Sequence, residues 1–254
     1  MTGIPVNSTS IGITNADTMN ITPIQRKTLA EQITETIFDH ILNQMQTGDE
    51  LPSTEQLAAD FQVSRIVIRE ALKTLEAHGI IEINTGKKAI VKPISGDIFK
   101  IYFQRVFFAR KNNFLELVEF RRAIETFCVV LAAQRRTDEE LERICSIYEQ
   151  MEKAIRDAER YTHFDLDFHI QIAVASHNSV LKHLVTSLRD VIKDAIENSL
   201  RDRQDENTLR TSLNYHKRIV EAIKEKDPKS AERAITEHFD DTVHYFTQQT
   251  VKKE

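Results

Sequence analysis

The second half of this sequence has almost no turn-forming residues. All six glycines of the 254-residue chain lie at or before Gly96, and after Pro93 the only proline is Pro228. Glycine and proline are the residues that most often interrupt helices and mark turns. Their scarcity argues against a strand-rich C-terminal half and predicts helices joined by short polar connections.

Cysteine and long apolar runs are scarce as well. Cys128 and Cys145 are the only cysteines and lack metal-type spacing, so we expect buried, reduced thiols. No run approaches the apolar length of a membrane span, and the N-terminus lacks the features of a secretory signal. We therefore expect a soluble, cytoplasmic protein without a membrane partner. The net charge of -5 argues against a nucleic-acid coat protein, although such an average can hide a local basic face.

The length fits one large or two small domains, and the uneven glycine distribution favours two. Residues 1–22 are small and polar without periodicity and predict a flexible tail. Residues 23–95 would form an N-terminal domain and residues 96–254 an all-helical one. In the second domain the periodic segments suit an antiparallel helical bundle; they are 97–110, 114–135, 137–159, 161–176, 179–203, 206–226 and 229–249.

Three short helices are predicted in the N-terminal domain. Apolar residues at helical spacing indicate a first helix from Leu29 to about Met45. Ser53, with Gln56 three residues later, has the capping-box pattern of a second helix start. Ser64 can cap a third helix, which Gly79 would end. The last two helices, joined by a tight turn, form a helix-turn-helix.

Alternating apolar residues follow this motif. Ile81 and Ile83 precede the turn Thr85-Gly86, and Ala89 and Val91 come after it. This pattern predicts a two-stranded hairpin. The complete unit is a winged helix-turn-helix.

This stretch resembles the DNA-binding domain of the GntR family of bacterial transcription regulators. The resemblance is carried by the runs L-P-S, L-A, V-S-R, R-E-A-L, L-E, G-I-I-E-I and G-K. It implies that the third helix enters the major groove of an operator duplex, with Arg65 and Arg69 contacting the DNA. Arginine near the start of such a helix can bond guanine in bidentate fashion.

Further DNA contacts are expected on both sides of these arginines. Basic residues outnumber acidic ones between Phe61 and Ser95. The other expected DNA-binding residues are Ser64, Ile66 and Val67 at the helix start and Thr85, Gly86 and Lys87 at the wing tip. Ile66-Val67 replaces the usual Thr-Pro of the family on a helix face that should be exposed to solvent. Contacts with thymine methyl groups would account for two apolar residues there. Glu55 replaces a family arginine that contacts DNA, which puts that contact in doubt.

The chain has a GntR-type DNA-binding domain followed by an all-helical domain. This domain order resembles the FadR-type subfamily, whose effector domain is called FCD. The runs E-F-R-R-A-I-E, D-L-D-F-H and S-H-N-S-V-L support this placement. The expected fold class is therefore mainly α: an N-terminal winged helix-turn-helix followed by an all-helical, antiparallel, FCD-like bundle. A FadR-type protein that binds acyl-CoA without metal would fit the same fold, but two late histidines argue against it.

Four residues are candidate metal ligands. Asp165 and His169 lie one helical turn apart and share a face, and His216 and His238 fall on the apolar stripes of the last two helices. Metal-binding FCD domains show this same arrangement. It suits a divalent ion, with zinc favoured over nickel, manganese and iron, and leaves positions open for an oxygen ligand. Asp167 is the weaker carboxylate, since the residue four positions later is Gln171.

The resemblance also implies an effector. Family effectors are small organic acids whose carboxylate reaches the metal, and Arg121 sits where the family has an arginine lining that cavity. A guanidinium suits a carboxylate. A surface ion pair with an acidic neighbour is an equal alternative for Arg121.

The resulting hypothesis is a homodimeric, metal-containing repressor that reads a short inverted repeat and releases it on binding a small carboxylate. It is not expected to be an enzyme. A metal-dependent hydrolase or lyase with an attached DNA-binding domain is one alternative, but no motif supplies the general base it needs. A pure metal sensor, in which the ion itself is the effector, is another.

Overall fold

The computed structural model describes residues 27–84, 86–109, 114–199 and 206–251. These form ten α-helices and one two-stranded sheet. The elements are α1 (Leu29–Gln44), α2 (Thr54–Asp60), α3 (Arg65–Ala77), β1 (Ile81–Glu82), β2 (Ile90–Val91), α4 (Asp97–Ala109), α5 (Phe114–Arg135), α6 (Asp138–Lys153), α7 (Ala158–Ala175), α8 (Ser179–Ser199), α9 (Glu206–Lys224) and α10 (Pro228–Val251). The mainly helical class is confirmed. The predicted tail, residues 1–22, lies outside the described residues.

The helix-turn-helix is built by its caps. The Ser53 side chain accepts a hydrogen bond from the Gln56 amide at the start of α2, and Ser64 accepts one from the Val67 amide at the start of α3. Each serine satisfies a helix-end amide that would otherwise lack a partner. The reciprocal half of the predicted capping box at Ser53 is wrong, because Gln56 Nε2 donates to Asp60 Oδ1 instead.

The wing is shorter than the alternating pattern suggested. β1 and β2 pair antiparallel with Ile81 opposite Val91 and Glu82 opposite Ile90. Gly86, at φ +76°, occupies the left-handed region that glycine adopts without strain. The Leu51 amide donates to the Ala89 carbonyl at 2.8 Å, which ties the wing to the segment before α2.

The C-terminal domain is a helical bundle around α5. Helices α7, α8, α9 and α10 all pack against α5, whose inner face carries buried Cys128, Val129 and Ala132. Both cysteines are free thiols; Cys128 is buried as expected, whereas Cys145 is only partly buried. Among the described residues, no helix is long and apolar enough to cross a bilayer.

One predicted helix end is wrong. The apolar pattern placed a single helix over 137–159, but α6 ends at Lys153 and α7 begins at Ala158. The Asp157 side chain accepts a hydrogen bond from the Arg160 amide and so starts α7 early. The turn contains no glycine or proline, so the sequence carries no strong break signal there.

Gly96 stands at the junction between the two domains. A Cβ atom at this position would lie 2.8 Å from the His183 carbonyl oxygen and 3.2 Å from Ser187 Cβ, both on α8. The missing side chain therefore lets the chain touch α8 just before α4 begins. Helix α4 then packs along α8, where Phe103 and Leu188 share a cluster with Leu166 of α7.

Replacing Gly96 with alanine should weaken this junction. Overpacking against a backbone atom that cannot rotate away is expected to cost about 1–3 kcal/mol of the free energy of unfolding of the helical domain. Urea denaturation followed by circular dichroism measures the loss. Ile94→Ala is the control, because Ile94 is 84% exposed and should change the free energy by less than about 0.5 kcal/mol. Equal stability of Gly96→Ala and wild type would contradict the close approach.

Candidate metal centre and DNA-reading surface

Three histidines from three helices meet inside the helical domain. His169 lies on α7, His216 on α9 and His238 on α10, and they are 3%, 0% and 7% exposed. One ring nitrogen from each lies within 4.8 Å of the other two, and the rings of His216 and His238 have centroids 4.5 Å apart. We call these residues the histidine cluster. The helical spacing predicted their convergence.

Asp165 joins this cluster from α7, one turn before His169. Its Oδ1 lies 3.1 Å from His216 Nε2, which in turn lies 3.4 Å from His169 Nε2. Asp167 instead contacts Arg189 at 2.9 Å and His163 at 3.4 Å. Asp165 is therefore the carboxylate that contacts the histidine cluster, through His216. We call Asp165 and the histidine cluster together the four-residue centre.

Two separations around His216 fit the ligand shell of one ion. Ligand atoms about 2.0–2.1 Å from a divalent metal lie about 2.8–3.4 Å apart at right or tetrahedral angles. The 3.1 Å and 3.4 Å separations around His216 Nε2 fall in this range. Imidazole nitrogens with one carboxylate suit zinc, nickel, manganese or iron.

Burial sets the charge states of the centre. It lowers the pKa of His216, against the opposing effect of Asp165, and lowers the pKa of His238 well below its usual value, with His216 and His169 acting in the same direction. Burial alone would raise the pKa of Asp165, but His216, His169 and His238 hold it well below its usual range. Neutral imidazoles at His216 and His238 beside an ionised Asp165 are the protonation states that bind metals.

A second layer of polar groups comes from α5. His169 Nδ1 lies 2.5 Å from Glu125 Oε2, and Arg121 Nε donates to Glu125 Oε1 at 2.7 Å. Burial alone would raise the pKa of Glu125, but Arg121 and His169 lower it to about 2. A carboxylate at Nδ1 fixes the ring tautomer and leaves Nε2 facing the cluster. Sequence reasoning missed this role of Glu125, although its four-residue spacing from Arg121 was visible.

Arg121 is a buried residue. It is 7% exposed and pairs with a Glu125 side chain that is 3% exposed. The alternative of an ion pair with an acidic neighbour is therefore confirmed, but its position at the surface is wrong. Its guanidinium carbon lies 5.3 Å from the centroid of the Phe239 ring, whose centroid is 5.3 Å from that of His238. Arg121 Nη2 is buried without a hydrogen-bond partner among the described residues. An unsatisfied buried donor costs about 1–3 kcal/mol, more when charged, so this nitrogen is the donor that a bound anion would satisfy.

The candidate DNA-reading surface is the exposed start of α3. Arg65 is its first residue, after the Ser64 cap, and Arg69 follows one turn later. Both arginines are exposed, and Ile66 is 74% exposed, as a thymine contact would require. Val67 is partly buried and packs on the core of the N-terminal domain, so only part of its side chain is left for the predicted DNA contact.

The wing tip brings a backbone turn and a basic residue to the surface. Gly86 and Lys87 are exposed, and the Lys87 amide donates to the Asn84 carbonyl at 3.0 Å. Thr85, the remaining predicted wing contact, lies outside the described residues. A turn without a bulky side chain permits close approach to a phosphate backbone.

A winged helix-turn-helix joined to an all-helical domain defines the class of protein, a DNA-binding transcription regulator. Comparison with known families identifies the family of regulators. Residues 29–91 match the model described as bacterial regulatory proteins, gntR family, and residues 116–241 match the FCD domain. The chain belongs to the GntR family and carries an FCD domain at its C-terminal side.

Individual relatives agree with this placement. The uncharacterized HTH-type transcriptional regulator YcbG of Bacillus subtilis is 30% identical over 223 residues, covering 87% of this chain and 91% of its own. The HTH-type transcriptional repressor NanR of Citrobacter rodentium is 29% identical over 238 residues, covering 91% of each chain. The solved structure of Streptococcus agalactiae GntR is 25% identical with a TM-score of 0.63, covering 85% of this chain and 100% of that one.

Glu125→Gln tests the second layer. It should lower the affinity for zinc by about 10–100-fold, because the partner that orients His169 and raises its basicity loses its charge. Competition with a chromophoric chelator measures the affinity, after circular dichroism has shown that the variant is folded. Glu119→Gln, an exposed position on the same helix, is the control. Equal zinc affinity of the two variants would remove Glu125 from the site.

Proposed function

We propose that the chain is a homodimeric, ligand-responsive repressor of the FadR type, whose effector domain holds a divalent metal. Asp165, His169, His216 and His238 would bind the ion, with zinc favoured over nickel, manganese and iron. The convergence of these groups in the bundle interior carries the proposal, because packing alone gives no reason to bury them together. The NanR relative bears the name of a repressor, which favours the same sign of regulation here.

The effector would be a small carboxylate. A bound divalent ion supplies Lewis acidity for one carboxylate oxygen. Arg121 supplies a second, directional contact, since its Nη2 is buried without a partner among the described residues while its Nε is held by Glu125. A guanidinium fixed on one edge is preorganised for the incoming anion.

The homodimer is supported by apolar side chains that the single chain leaves exposed. They lie on α4 and α5 of the helical domain and are Ile98, Phe99, Ile101, Tyr102, Leu115, Phe120 and Phe127. An apolar surface of this kind marks a contact with another molecule. A dimer formed through this surface would have two α3 helices. Their spacing must match the half-sites of an inverted repeat. An effector would act by binding more tightly to a dimer with the wrong spacing.

Arg121→Lys tests the proposal directly. Zinc-loaded, full-length protein is screened by thermal unfolding against small mono-, di- and hydroxycarboxylic acids, and the acid that stabilises wild type is then titrated into a complex with a selected operator duplex. Lysine keeps the charge but loses the planar fork, so the variant should bind the acid about tenfold more weakly while it retains zinc.

Arg122→Lys is the matched control, because Arg122 is the neighbouring residue and pairs at the surface with Asp240 at 2.7 Å. Equal acid affinity of both variants would exclude Arg121 as a ligand. Release of DNA by zinc alone, with no response to any acid, would show that the ion is itself the effector.

A further inference from the structure

An acidic residue lies beside the first arginine of the reading helix. Glu55 is in the first turn of α2, and its Oε1 lies 3.0 Å from Arg65 Nη1 at the start of α3. The two side chains are 56% and 62% exposed. An exposed pair of this kind adds little to the stability of the fold.

The pair restricts how Arg65 can meet DNA. Arginine has donors on two edges of its guanidinium, and Glu55 occupies Nη1. The remaining donors can still meet the two acceptors of a guanine edge, which requires a fixed orientation. By contrast, Arg69 has no ion-pair partner among the described residues and is free to meet either a base or a phosphate.

The carboxylate also changes the electrostatics of the surface. A phosphate near Arg65 would meet the negative charge of Glu55 as well, so phosphate contact by this arginine is disfavoured. A base edge carries no net charge and avoids that repulsion. Glu55 therefore weakens the contribution of Arg65 to sequence-independent binding more than its contribution to base reading.

We propose that Glu55 is a specificity-determining residue that holds Arg65 for base recognition and suppresses its contact with the phosphate backbone. The proposal depends on α3 being the helix that enters the major groove. It does not depend on the metal or the effector.

The test compares Glu55→Gln with wild type on two probes. One is a duplex selected by wild-type protein from a randomised library, and the other is a random-sequence duplex of the same length. The variant should bind the random duplex more tightly, with the slope of log affinity against log salt steeper by about one. The ratio of selected to random affinity should fall by about tenfold. Selection with the variant should lose base preference at one position of each half-site.

Glu35→Gln is the matched control. Glu35 lies on α1, is paired with Lys27 and is 56% exposed, like Glu55, so the same charge change is made at a different surface. The proposal would be overturned if Glu55→Gln, like this control, left two quantities unchanged. These are the ratio of selected to random affinity and the slope of log affinity against log salt. A parallel loss of affinity for both duplexes would overturn it too, since that result describes a general DNA contact.

Arg65→Ala tests the premise that Arg65 recognises a base. If Arg65→Ala keeps the wild-type base preference, Arg65 contacts no base and the proposal is wrong. If Arg65→Ala loses that preference, the double variant Arg65→Ala with Glu55→Gln should have the same ratio of selected to random affinity as Arg65→Ala alone. The reason is that the carboxylate acts through Arg65. An independent additional loss in the double variant would contradict that mechanism.

Discussion

Burying three imidazoles and a carboxylate inside a helical bundle is the constraint on which the helical domain depends. Each group loses water, and each must regain a partner or remain costly. Asp165 meets His216, and Glu125 meets both His169 and Arg121. The partnerships link α5, α7 and α9, and His238 adds α10 through its contact with the other rings. The polar interior therefore fixes which faces of four helices point inward, and it leaves Arg121 Nη2 as a buried donor without a partner among the described residues.

The same helices connect the centre to the rest of the chain. Leu166 follows Asp165 directly and belongs to an apolar cluster with Phe103 of α4 and Leu188 of α8. Helix α4 begins just after Gly96, whose lack of a side chain lets the inter-domain segment touch α8. A continuous series of packed residues thus runs from the candidate centre to the segment that leads to the wing. A ligand can bias DNA binding through such a series only if it favours one of two arrangements.

Local patterns were enough to predict most of the architecture. The signals for α1 to α3 and the wing act within a few residues; they are the serine caps, the Gly79 stop and the helical spacing. These elements could therefore be predicted from the sequence alone. The turn between α6 and α7 was missed, because Asp157 starts α7 without a glycine or proline. The partial burial of Val67 was missed because it depends on packing with the rest of its domain. The metal-type cluster followed from helix faces, whereas Glu125 required knowing that α5 packs beside α7. Contacts between helices distant in sequence are what local spacing cannot supply.

The most direct measurement is the metal content of the purified protein by elemental analysis, with wild type beside an Asp165→Ala and His238→Ala double variant. We expect about one divalent metal per wild-type chain, and its loss in a double variant that remains folded. Absence of metal from wild type, even after incubation with zinc, nickel or manganese, would contradict the metal site. The chain would then be a GntR-family regulator whose buried histidines serve some purpose other than holding an ion.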